Sequence, residues 1–474
     1  MTGIVQTEAV ESSNGSPAAG SALVSLHAPL PEYVETGRGQ FLVVSGDCTA
    51  PGRRIRGIEI VFNGLRTEAE LSEIPDGVGF WQAVLLTQDL SGTSAPLEIS
   101  VRFASGETLA HDAGEVRCRD VDWQPADMPG GLHGRGVVAI CMATYSPDFA
   151  AFARQTDSIR SQSCRHWICI VNDDGTPEGQ WQKMQEHCAG DGRFLFFRNP
   201  RNLGFYGNFE QALKRVPRDA DYVALADQDD QWYPYKLERL LEKLESSDAS
   251  LVYSDMRIVD AQGQEIAPTY WVNRRNEYRD LQAVLVANTV TGAASLFRRG
   301  ILEDLVPFPP RVGDAFHDHW LACVTMSTGT LAYIDAPLYD YYQYGTSVIG
   351  HCDFVRFSLW QRIASLLRFI VRLCRPATAR PLLLRKYGSA LAIYRGECRR
   401  LRLVEGTIRR RCRLSSRRRR QLGNFNGGVG SLLRLLMLHA RVLIRGQTTD
   451  DAELRLAMGE LARLVEKRRI KGRK

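Results

Sequence analysis

The 474-residue sequence predicts an α/β protein with a doubly wound, mostly parallel sheet, a small all-β sandwich before it and a basic helical region after it. Short alternating apolar runs without helical runs between them fill the first part, and strands alternate with helices from residue 136. The chain exceeds the usual size of one core, so we expect several domains. The expected parts are a disordered leader (1–22), the sandwich (23–122), a linker (123–135), the α/β domain (136–351) and the basic helical region (352–474).

The first 122 residues contain no catalytic pattern. Residues 1–22 are rich in Ser, Gly, Ala and Glu, a composition typical of disorder. From residue 23, apolar runs such as 58–62 and 97–101 are separated by turn residues, a spacing that favours antiparallel strands. We therefore interpret this region as an accessory domain, and the Pro- and Gly-rich segment 123–135 as a linker.

Strands and helices alternate after the linker. The predicted strands are 137–142, 167–171, 194–197 and 222–226, and the predicted helices are 148–163 and 207–215. The first strand is continuously apolar, as expected for a strand buried on both faces. In such sheets ligands bind outside the carboxyl ends of the strands, so the residues that follow each strand are the candidates for a site.

Polar residues follow three of these strands. The first strand runs into Thr144 and Tyr145, the second into Asp173 and Asp174, and the fourth into the acidic run, Asp-Gln-Asp-Asp at residues 227–230. A single Asp at a strand end is usually a helix cap or a turn former. Five carboxylates at two strand ends of one sheet would repel one another, so a bound cation is their natural partner. Mg²⁺ or Mn²⁺, with open positions for water and phosphate, suits this chemistry.

The ordered motifs of residues 135–351 resemble those of the GT-A family 2 glycosyltransferases, and within them the bacterial rhamnosyltransferase-like branch. The matching strings are VVAICMATYSP, ICIVNDDGT, NLGFYGNFEQAL, YVALADQDDQWYPYKLE, VYSDMRIVDAQG, NTVTGAASLFRR, FHDHWLA and YYQYGTSVIG. The resemblance implies a GT-A catalytic domain at 136–351. It also implies inverting transfer of a sugar from a nucleotide diphosphate donor, by likeness dTDP-L-rhamnose, to a saccharide hydroxyl in surface polysaccharide (O-antigen) synthesis.

The resemblance further implies roles for individual residues. Asp229 of the DxD motif would ligate the divalent cation, Asp230 would share or orient it, and Asp227 would face the ribose. Asp318 would be the general base that takes the proton of the acceptor hydroxyl. A metal site made by the triplet 317–319 is disfavoured, because adjacent residues point in different directions. The remaining implied nucleotide-sugar contacts are Thr144, Tyr145, Asp173, Asp174, Asn202, Gly204, Asn208, Thr291 and Gly292.

Structural alternatives stay open for several of these positions. Residues 202–204 read equally as an ordinary turn. Trp232 would either pack over the sugar or lie in the core. Lys236 would either neutralise phosphate charge or lie on the surface of a helix. Asp255 is a pocket residue or a structural cap.

One segment departs from the family pattern. The family commonly shows Tyr-Arg-Gln-His-Gly where this chain has Tyr341-Tyr342-Gln343-Tyr344-Gly345. The missing Arg and His are groups that could touch diphosphate or metal. Three alternatives remain: Tyr342 and Tyr344 substitute by hydrogen bonding, His351 takes over, or the dependence on metal is weaker.

Charge is unevenly distributed along the chain. From residue 351 onward there are 31 Lys or Arg against 8 Asp or Glu, whereas the first 350 residues carry 29 against 46. Apolar residues recur at helical spacing with Arg between them over 359–373 and 431–444, which predicts basic amphipathic helices. Such helices lie in a membrane interface, where a lipid-linked acceptor would be met, or pack on the α/β domain. No nucleic-acid-binding motif accompanies Arg417–Arg420, so we expect no nucleic-acid partner.

Composition and motifs limit the cellular location and the alternative functions of the protein. No secretory signal and no apolar run of about 20 residues occurs, and the 11 cysteines form no CxxC pair. These features favour a cytoplasmic protein, at the inner face of the cell membrane if the basic helices bind there. The alternative functions are a GT-A enzyme with another donor or a retaining outcome, and a non-catalytic saccharide-binding scaffold. Residues 143–147 contain no Gly or Lys, which disfavours nucleotidyl transfer to a sugar phosphate.

Overall fold

The computed structural model describes residues 22–74, 77–130, 132, 136–272, 276–344, 380–423, 428–445 and 452–472. Contacts divide these residues into two compact units. The first consists of residues up to 34 together with 42–84 and 92–118, and the second of residues 35–41, 85–91 and 119 onward. The predicted leader up to residue 21, His351 and the amphipathic stretch 359–373 lie outside the described residues.

The chain up to residue 119 folds into two β-sheets. One has the strand order β1-β3-β7-β6, and the other has the order β2-β9-β8-β4-β5. Along β3, buried residues alternate with half-buried ones, which is the pattern of a strand with one face on a core. Cys48 and Cys118 lie in different sheets as buried free thiols. The strands are β1 (Leu23–Leu26), β2 (Tyr33–Glu35), β3 (Gln40–Thr49), β4 (Ile55–Phe62), β5 (Leu65–Glu68), β6 (Glu70–Ile74), β7 (Gly77–Leu86), β8 (Ser94–Phe103) and β9 (Thr108–Arg119).

The second unit is built on a nine-stranded mixed sheet with the order β12-β11-β10-β13-β17-β15-β18-β14, and β16 pairs with β15. Its strands are β10 (Val138–Thr144), β11 (Trp167–Asp173), β12 (Phe194–Arg198), β13 (Tyr222–Ala226), β14 (Gln231–Trp232), β15 (Leu251–Asp260), β16 (Glu265–Ala267), β17 (Ser295–Arg298) and β18 (Leu331–Gln343). Strands β10 to β13 are parallel, as are β15 and β18, whereas β17 is antiparallel to both of its neighbours. Every residue of β11 is buried, as expected for a sheet covered on both faces. The predicted α/β fold class, with an all-β region before it and helices after it, is confirmed.

Helices follow the strands. They are α1 (Phe149–Arg160), α2 (Glu178–Cys188), α3 (Gly204–Lys214), α4 (Lys236–Glu245), α5 (Leu281–Val286), α6 (Leu302–Leu305), α7 (His317–Thr328), α8 (Arg380–Arg411), α9 (Ser416–Gly423), α10 (Val429–Arg445) and α11 (Ala452–Gly472). The sequence predicted that α3 begins at 207. It begins at Gly204 because the Asp174 carboxylate accepts hydrogen bonds from the amides of Leu203 and Gly204, which have no partner inside the helix.

The described part of the predicted linker runs along the end of α3. The amide of Gln124 donates to the Lys214 carbonyl (3.2 Å), and the amide of Ala126 donates to the Arg215 carbonyl (2.8 Å). These backbone bonds fix the segment on the second unit just before β10 begins.

Part of the basic C-terminal charge is buried inside the second unit. Arg411 of α8 is 3% exposed, and its Nε donates to the Gly39 carbonyl at 2.7 Å. Burial lowers the pKa of the Arg411 guanidinium to about 10. Arg400 on the same helix is also buried and contacts α7. Helix α8 is therefore packed on the domain that carries the candidate site, rather than being a wholly solvated basic helix.

Among the helices that the structure describes, none is both long and apolar enough to cross a bilayer.

Candidate active site

The carboxyl ends of β10 and β13 meet, and the acidic run follows β13 at that point. The amide of Tyr145 donates to Oε1 of Gln228 (2.9 Å), and Nε2 of Gln228 donates back to the Tyr145 carbonyl (3.5 Å). The Tyr145 side chain is 56% exposed. The amide of Asp174, after β11, donates to the Thr144 carbonyl at the end of β10 (2.9 Å). The structure thus brings together all three polar strand ends that the sequence singled out.

The acidic run contains more negative charge than the chain neutralises. Asp230 is 1% exposed, and neither of its carboxylate oxygens has a hydrogen-bond partner among the described residues. Burial, followed by the charges of Asp227 and Asp229, raises the pKa of Asp230 well above its usual range. Burial also raises the pKa of Asp227 and of Asp229. A cation would relieve both the desolvation and the mutual repulsion of these groups.

Lys236, the first residue of α4, is a buried amine that follows this run. Its side chain is fully buried, and Nζ donates to the Ala293 carbonyl at 2.5 Å and lies 3.7 Å from the centre of the Trp232 ring. Burial lowers the pKa of Lys236 well below its usual range, while Asp230 and Asp227 oppose that shift. The alternative of a surface Lys236 is wrong, and Trp232, itself 2% exposed, lies in the core.

Arg154 of α1 is a cation at the run that the sequence did not predict. Its Nη2 donates to the Asp229 carbonyl (2.6 Å) and to the Tyr344 hydroxyl (2.9 Å). The guanidinium carbon lies 3.6 Å from the centre of the Tyr342 ring. No local sequence pattern predicts these contacts, because Asp229 and Tyr344 lie 75 and 190 residues further along the chain.

Asp318 is the second residue of α7 and is oriented by two backbone amides. Its Oδ1 accepts from the amide of His319 (2.6 Å), and its Oδ2 accepts from the amide of Gly292 (3.4 Å). The side chain is partly exposed. Burial, followed by the charges of Asp229 and Asp318, raises the pKa of Asp227 to about 7. Thr291, which precedes Gly292, is also partly exposed.

A close approach requires glycine at position 292. A Cβ there would stand 2.7 Å from Nε2 of His317 and 3.5 Å from the Cβ of Asp318. The segment that contains Thr291 and Gly292 therefore lies directly against the start of α7. Asp318, the candidate base, therefore lies next to Thr291 and Gly292.

The two histidines beside Asp318 are buried, neutral and directed elsewhere. The His317 ring stacks on Phe209 with centroids 3.7 Å apart, and its nitrogens have no hydrogen-bond partner among the described residues. In His319, Nε2 lies 2.7 Å from the Val284 carbonyl, and Nδ1 lies 2.9 Å from Nη1 of Arg400. Burial lowers the pKa of each ring to about 3. In the described part of the chain, no three His, Cys, Asp or Glu side chains form a group able to hold a metal ion.

Asp173 and Thr144 lie beneath the strand ends rather than at their surface. Asp173 is fully buried and accepts from the amides of Gly175 (3.1 Å) and Thr176 (2.9 Å). It also pairs with Nε of Arg198 at 3.2 Å. The Thr144 hydroxyl donates to Asp173 at 3.3 Å. Both side chains are bonded to other groups of the chain, so the structure shows a structural role for each. The nucleotide contacts that the resemblance implies for Asp173 and Thr144 remain predictions.

Asp174, Asn202 and Asn208 also make structural hydrogen bonds around the start of α3. The buried Asp174 carboxylate holds the first amides of α3, and the buried Asn208 donates from Nδ2 to the Thr144 carbonyl (3.1 Å). Asn202 is exposed, and its Oδ1 accepts from the amide of Gly204 (3.0 Å), which is the turn that the sequence left open. Gly204 has a φ of 71°, in the left-handed region that favours glycine.

Asp255 is a structural cap, one of the two alternatives that the sequence left open. It is 4% exposed, and its Oδ1 accepts from the amides of Met256 (2.8 Å) and Tyr270 (3.1 Å). Its carboxylate fixes the chain that follows β16 against β15.

Comparison with known proteins identifies the domain that contains this site. Residues 139–306 match the sequence model of a family described as Glycosyl transferase family 2. The match includes the three polar strand ends and Gly292, and it ends twelve residues before Asp318. No curated protein sequence matches the chain.

The chain is also similar to solved structures of S. aureus TarS. For TarS 1–349 in complex with UDP-GlcNAc, the TM-score is 0.43 at 13% identity, with 71% of this chain and 92% of that chain covered. For TarS 1–349 in complex with UDP, the TM-score is 0.39 at 14% identity, with the same coverage. For the longer TarS chain, the TM-score is 0.40 at 13% identity, with 68% of this chain and 55% of that chain covered.

Both the identities and the TM-scores of these similarities are low, so the assignment depends on the matched residues and on the sheet that carries them. The matched span runs from β10 to the end of α6 and contains the four parallel strands β10 to β13 and the acidic run. Residues 139–306 therefore match a glycosyl transferase family 2 domain, and the acidic run at residues 227–230 lies inside the matched span.

Proposed function

We propose that this protein is an inverting glycosyltransferase that moves a sugar from a nucleotide diphosphate donor to a saccharide hydroxyl. The observation that carries the proposal is that the span matched to family 2 contains both the acidic run, with the buried and unpartnered carboxylate of Asp230, and Gly292, whose amide donates to Oδ2 of Asp318. The sequence resemblance favours dTDP-L-rhamnose as the donor and a growing surface polysaccharide as the acceptor. The proposed location is the cytoplasm.

Asp318 is the proposed general base. Its carboxylate is partly exposed, and the amides of Gly292 and His319 fix its direction. As the acceptor oxygen forms its bond to the anomeric carbon, the hydroxyl proton passes to Asp318. The bond between the anomeric carbon and the nucleotide oxygen breaks, and its electron pair leaves with the nucleotide diphosphate. One such displacement inverts the anomeric configuration.

Asp229 and Asp230 are the proposed ligands of a divalent cation, Mg²⁺ or Mn²⁺. The carboxylate oxygens of Asp230 are buried without partners, and oxygen ligands of this kind suit both ions. Because the described residues offer no group of three ligands, the donor and water would complete the coordination. Such a cation stabilises negative charge on the leaving diphosphate. Asp227 remains the proposed contact for the ribose.

A donor screen by nucleotide release tests this function. The full chain is incubated with dTDP-rhamnose, UDP-sugars or GDP-mannose and candidate saccharide acceptors, with and without a chelator. We expect release that depends on one donor and on an acceptor, is lost with chelator and returns with Mg²⁺ or Mn²⁺. Absence of release from every donor with a competent acceptor favours the saccharide-binding scaffold instead. The anomeric configuration of the product, read by NMR, separates inversion from retention.

Helix α10 supports a second proposal, which is peripheral contact with an anionic membrane surface. Val429, Leu433, Leu436 and Met437 are between 43% and 58% exposed. Their spacing places them on one face of the helix, opposite the buried Leu435 and Leu438. Exposed arginines of α9 add positive charge to the same region of the chain. An apolar helix face together with basic residues is typical of binding at a lipid interface.

Vesicle sedimentation tests the membrane contact. We expect the protein to sediment with vesicles of phosphatidylcholine and phosphatidylglycerol, and Leu433→Glu with Met437→Glu to weaken binding by roughly ten-fold, because charges would enter the apolar layer. Leu65→Glu, at an exposed position of β5, is the control. Equal sedimentation of all variants would show that α10 is not the contact.

A further inference from the structure

Arg154 is held at the acidic run from three sides. The Asp229 carbonyl and the Tyr344 hydroxyl both accept from Nη2, at 2.6 and 2.9 Å. The Tyr342 ring lies beneath the guanidinium at 3.6 Å, and the Tyr342 hydroxyl donates to Oε1 of Gln231 at 3.0 Å. A planar guanidinium stacked on an aromatic ring keeps a fixed direction, which a flexible lysine would not.

These contacts leave the positive charge of Arg154 available. Its partners are a carbonyl, a hydroxyl and a ring, and no described carboxylate lies within ion-pair distance of it. Its Nε is buried without a partner, and Nη1 makes no hydrogen bond to a described residue. Arg160 on the same helix differs, because it pairs with Asp157. A guanidinium built into a site without a carboxylate partner is suited to an anion that arrives with a ligand.

The position of Arg154 indicates which anion it would bind. The guanidinium touches the backbone of Asp229, which is a proposed metal ligand, and its charge opposes the rise that burial gives to the pKa of the Asp229 carboxyl. Any group that meets a cation at Asp229 therefore also comes within reach of Arg154. Of the parts of a nucleotide-sugar donor, only the diphosphate carries the negative charge that both cations attract.

We propose that Arg154 binds the diphosphate of the donor, and that Tyr342 and Tyr344 position its guanidinium. This inference rests on the proposed function. It also accounts for the unusual segment at residues 341–345, because the two tyrosines there hold a cation that comes from α1. In this arrangement Arg154 would add its positive charge to that of a cation held by Asp229 and Asp230.

Calorimetric titration of the full chain with nucleotides tests the role. UDP and dTDP are compared with UMP and dTMP, each in the presence of Mn²⁺. We expect Arg154→Gln to weaken binding of the preferred nucleoside diphosphate by roughly 10- to 100-fold, the size of one or two charge-assisted hydrogen bonds. Binding of the matching monophosphate should change less than about three-fold, since it lacks the outer phosphate. Tyr344→Phe, which keeps the guanidinium and removes one of its anchors, should weaken diphosphate binding by a smaller factor.

Arg160→Gln is the matched control, because it removes the same charge from the same helix at a position that pairs with Asp157. It should bind both nucleotides as the wild type does. If Arg154→Gln binds the diphosphate as tightly as the wild type, or loses diphosphate and monophosphate equally, the diphosphate role is wrong while the proposed transferase survives. If the wild type binds no nucleoside diphosphate, both proposals fail together. Circular dichroism of each variant verifies that the fold is retained.

Discussion

Nη1 of Arg400 in α8 lies 2.9 Å from Nδ1 of His319 in α7. The other ring nitrogen, Nε2, lies 2.7 Å from the Val284 carbonyl. Because Arg400 is always a donor, Nδ1 must accept and Nε2 must carry the proton, so the imidazole is neutral. The contact joins the basic helical region to the helix that presents Asp318. If Nδ1 of His319 were protonated, its N–H would face the N–H of Arg400, and neither group could accept a hydrogen bond from the other.

The first prediction concerns acid stability. Burial lowers the pKa of His317 and of His319 to about 3, whereas an unfolded His titrates near about 6.5. Between these values the unfolded chain binds more protons, so the stability is complete above about pH 6.5 and is lost as the pH falls towards 3. Each ring contributes a slope of about 1.4 kcal/mol per pH unit in that window.

Urea unfolding at a series of pH values between 7 and 4 measures this effect. The buried carboxyls of the acidic run have raised pKa values and act in the opposite direction, so the comparison with a variant is decisive. In His317→Phe the stack on Phe209 is kept and one titrating ring is removed. The unfolding free energy of the wild type should fall relative to that of the variant as the pH falls. A constant difference would mean that His317 takes up its proton at the same pH in the folded and the unfolded chain.

The second prediction is that Gly292→Ala impairs turnover more than stability. The new Cβ would stand 2.7 Å from Nε2 of His317, so the start of α7 must shift, and Asp318 with it. A shift of about 1 Å at a catalytic group costs on the order of 100-fold in rate. Gly300→Ala is the matched control, because its Cβ would meet nothing within 4 Å. Steady-state kinetics and melting temperatures of both variants test this. Wild-type kcat in Gly292→Ala would contradict it.

The third prediction separates the two roles of Asp174. Its carboxylate accepts from Leu203, Gly204 and Asn199, which ties α3 to the end of β11. Asp174→Ala should lower the free energy of unfolding by roughly 2 kcal/mol or more, because a helix cap and buried donors lose their acceptor. Asp174→Asn, which keeps one acceptor, should lose less. Denaturant unfolding and nucleotide titration are measured together. Weak nucleotide binding with unchanged stability would instead support the contact that the family resemblance implies.

Local patterns predicted much of this fold, and contacts between distant residues account for what they missed. The strand at 222–226 was predicted with its observed bounds, because a short apolar run ends abruptly in carboxylates. Helix α3 begins three residues before its predicted start, since its cap, Asp174, lies 30 residues before Gly204. Arg154 could not be predicted for the same reason, because its partners are Asp229 of the acidic run, Tyr342 in β18 and Tyr344 just after that strand. The sequence marked the carboxylates of the site, but only the fold shows which of them are already satisfied.

The fourth prediction is that Asp230→Asn has opposite effects on stability with and without metal. Burial and two neighbouring carboxylates raise the pKa of Asp230, so its charged form destabilises the metal-free fold at neutral pH. The neutral amide should raise the melting temperature in chelator and abolish the further rise that Mn²⁺ gives the wild type. Thermal unfolding with chelator and with Mn²⁺ measures both effects. A Mn²⁺ shift of wild-type size in this variant would remove Asp230 from the metal site.

The fifth prediction concerns Asp318. Asp318→Asn keeps the size of the side chain and an oxygen able to accept from Gly292 or His319, but it cannot take up the acceptor proton. Loss of a general base costs roughly 10²- to 10⁴-fold in rate, so kcat should fall by that factor. The affinity for the nucleotide should stay within about two-fold, since the proposed donor contacts are untouched. Asp219→Asn, at an exposed position, is the control for loss of one carboxylate. If Asp318→Asn keeps full transfer activity, another group accepts the proton, and the pairing of Asp318 with Gly292 is structural.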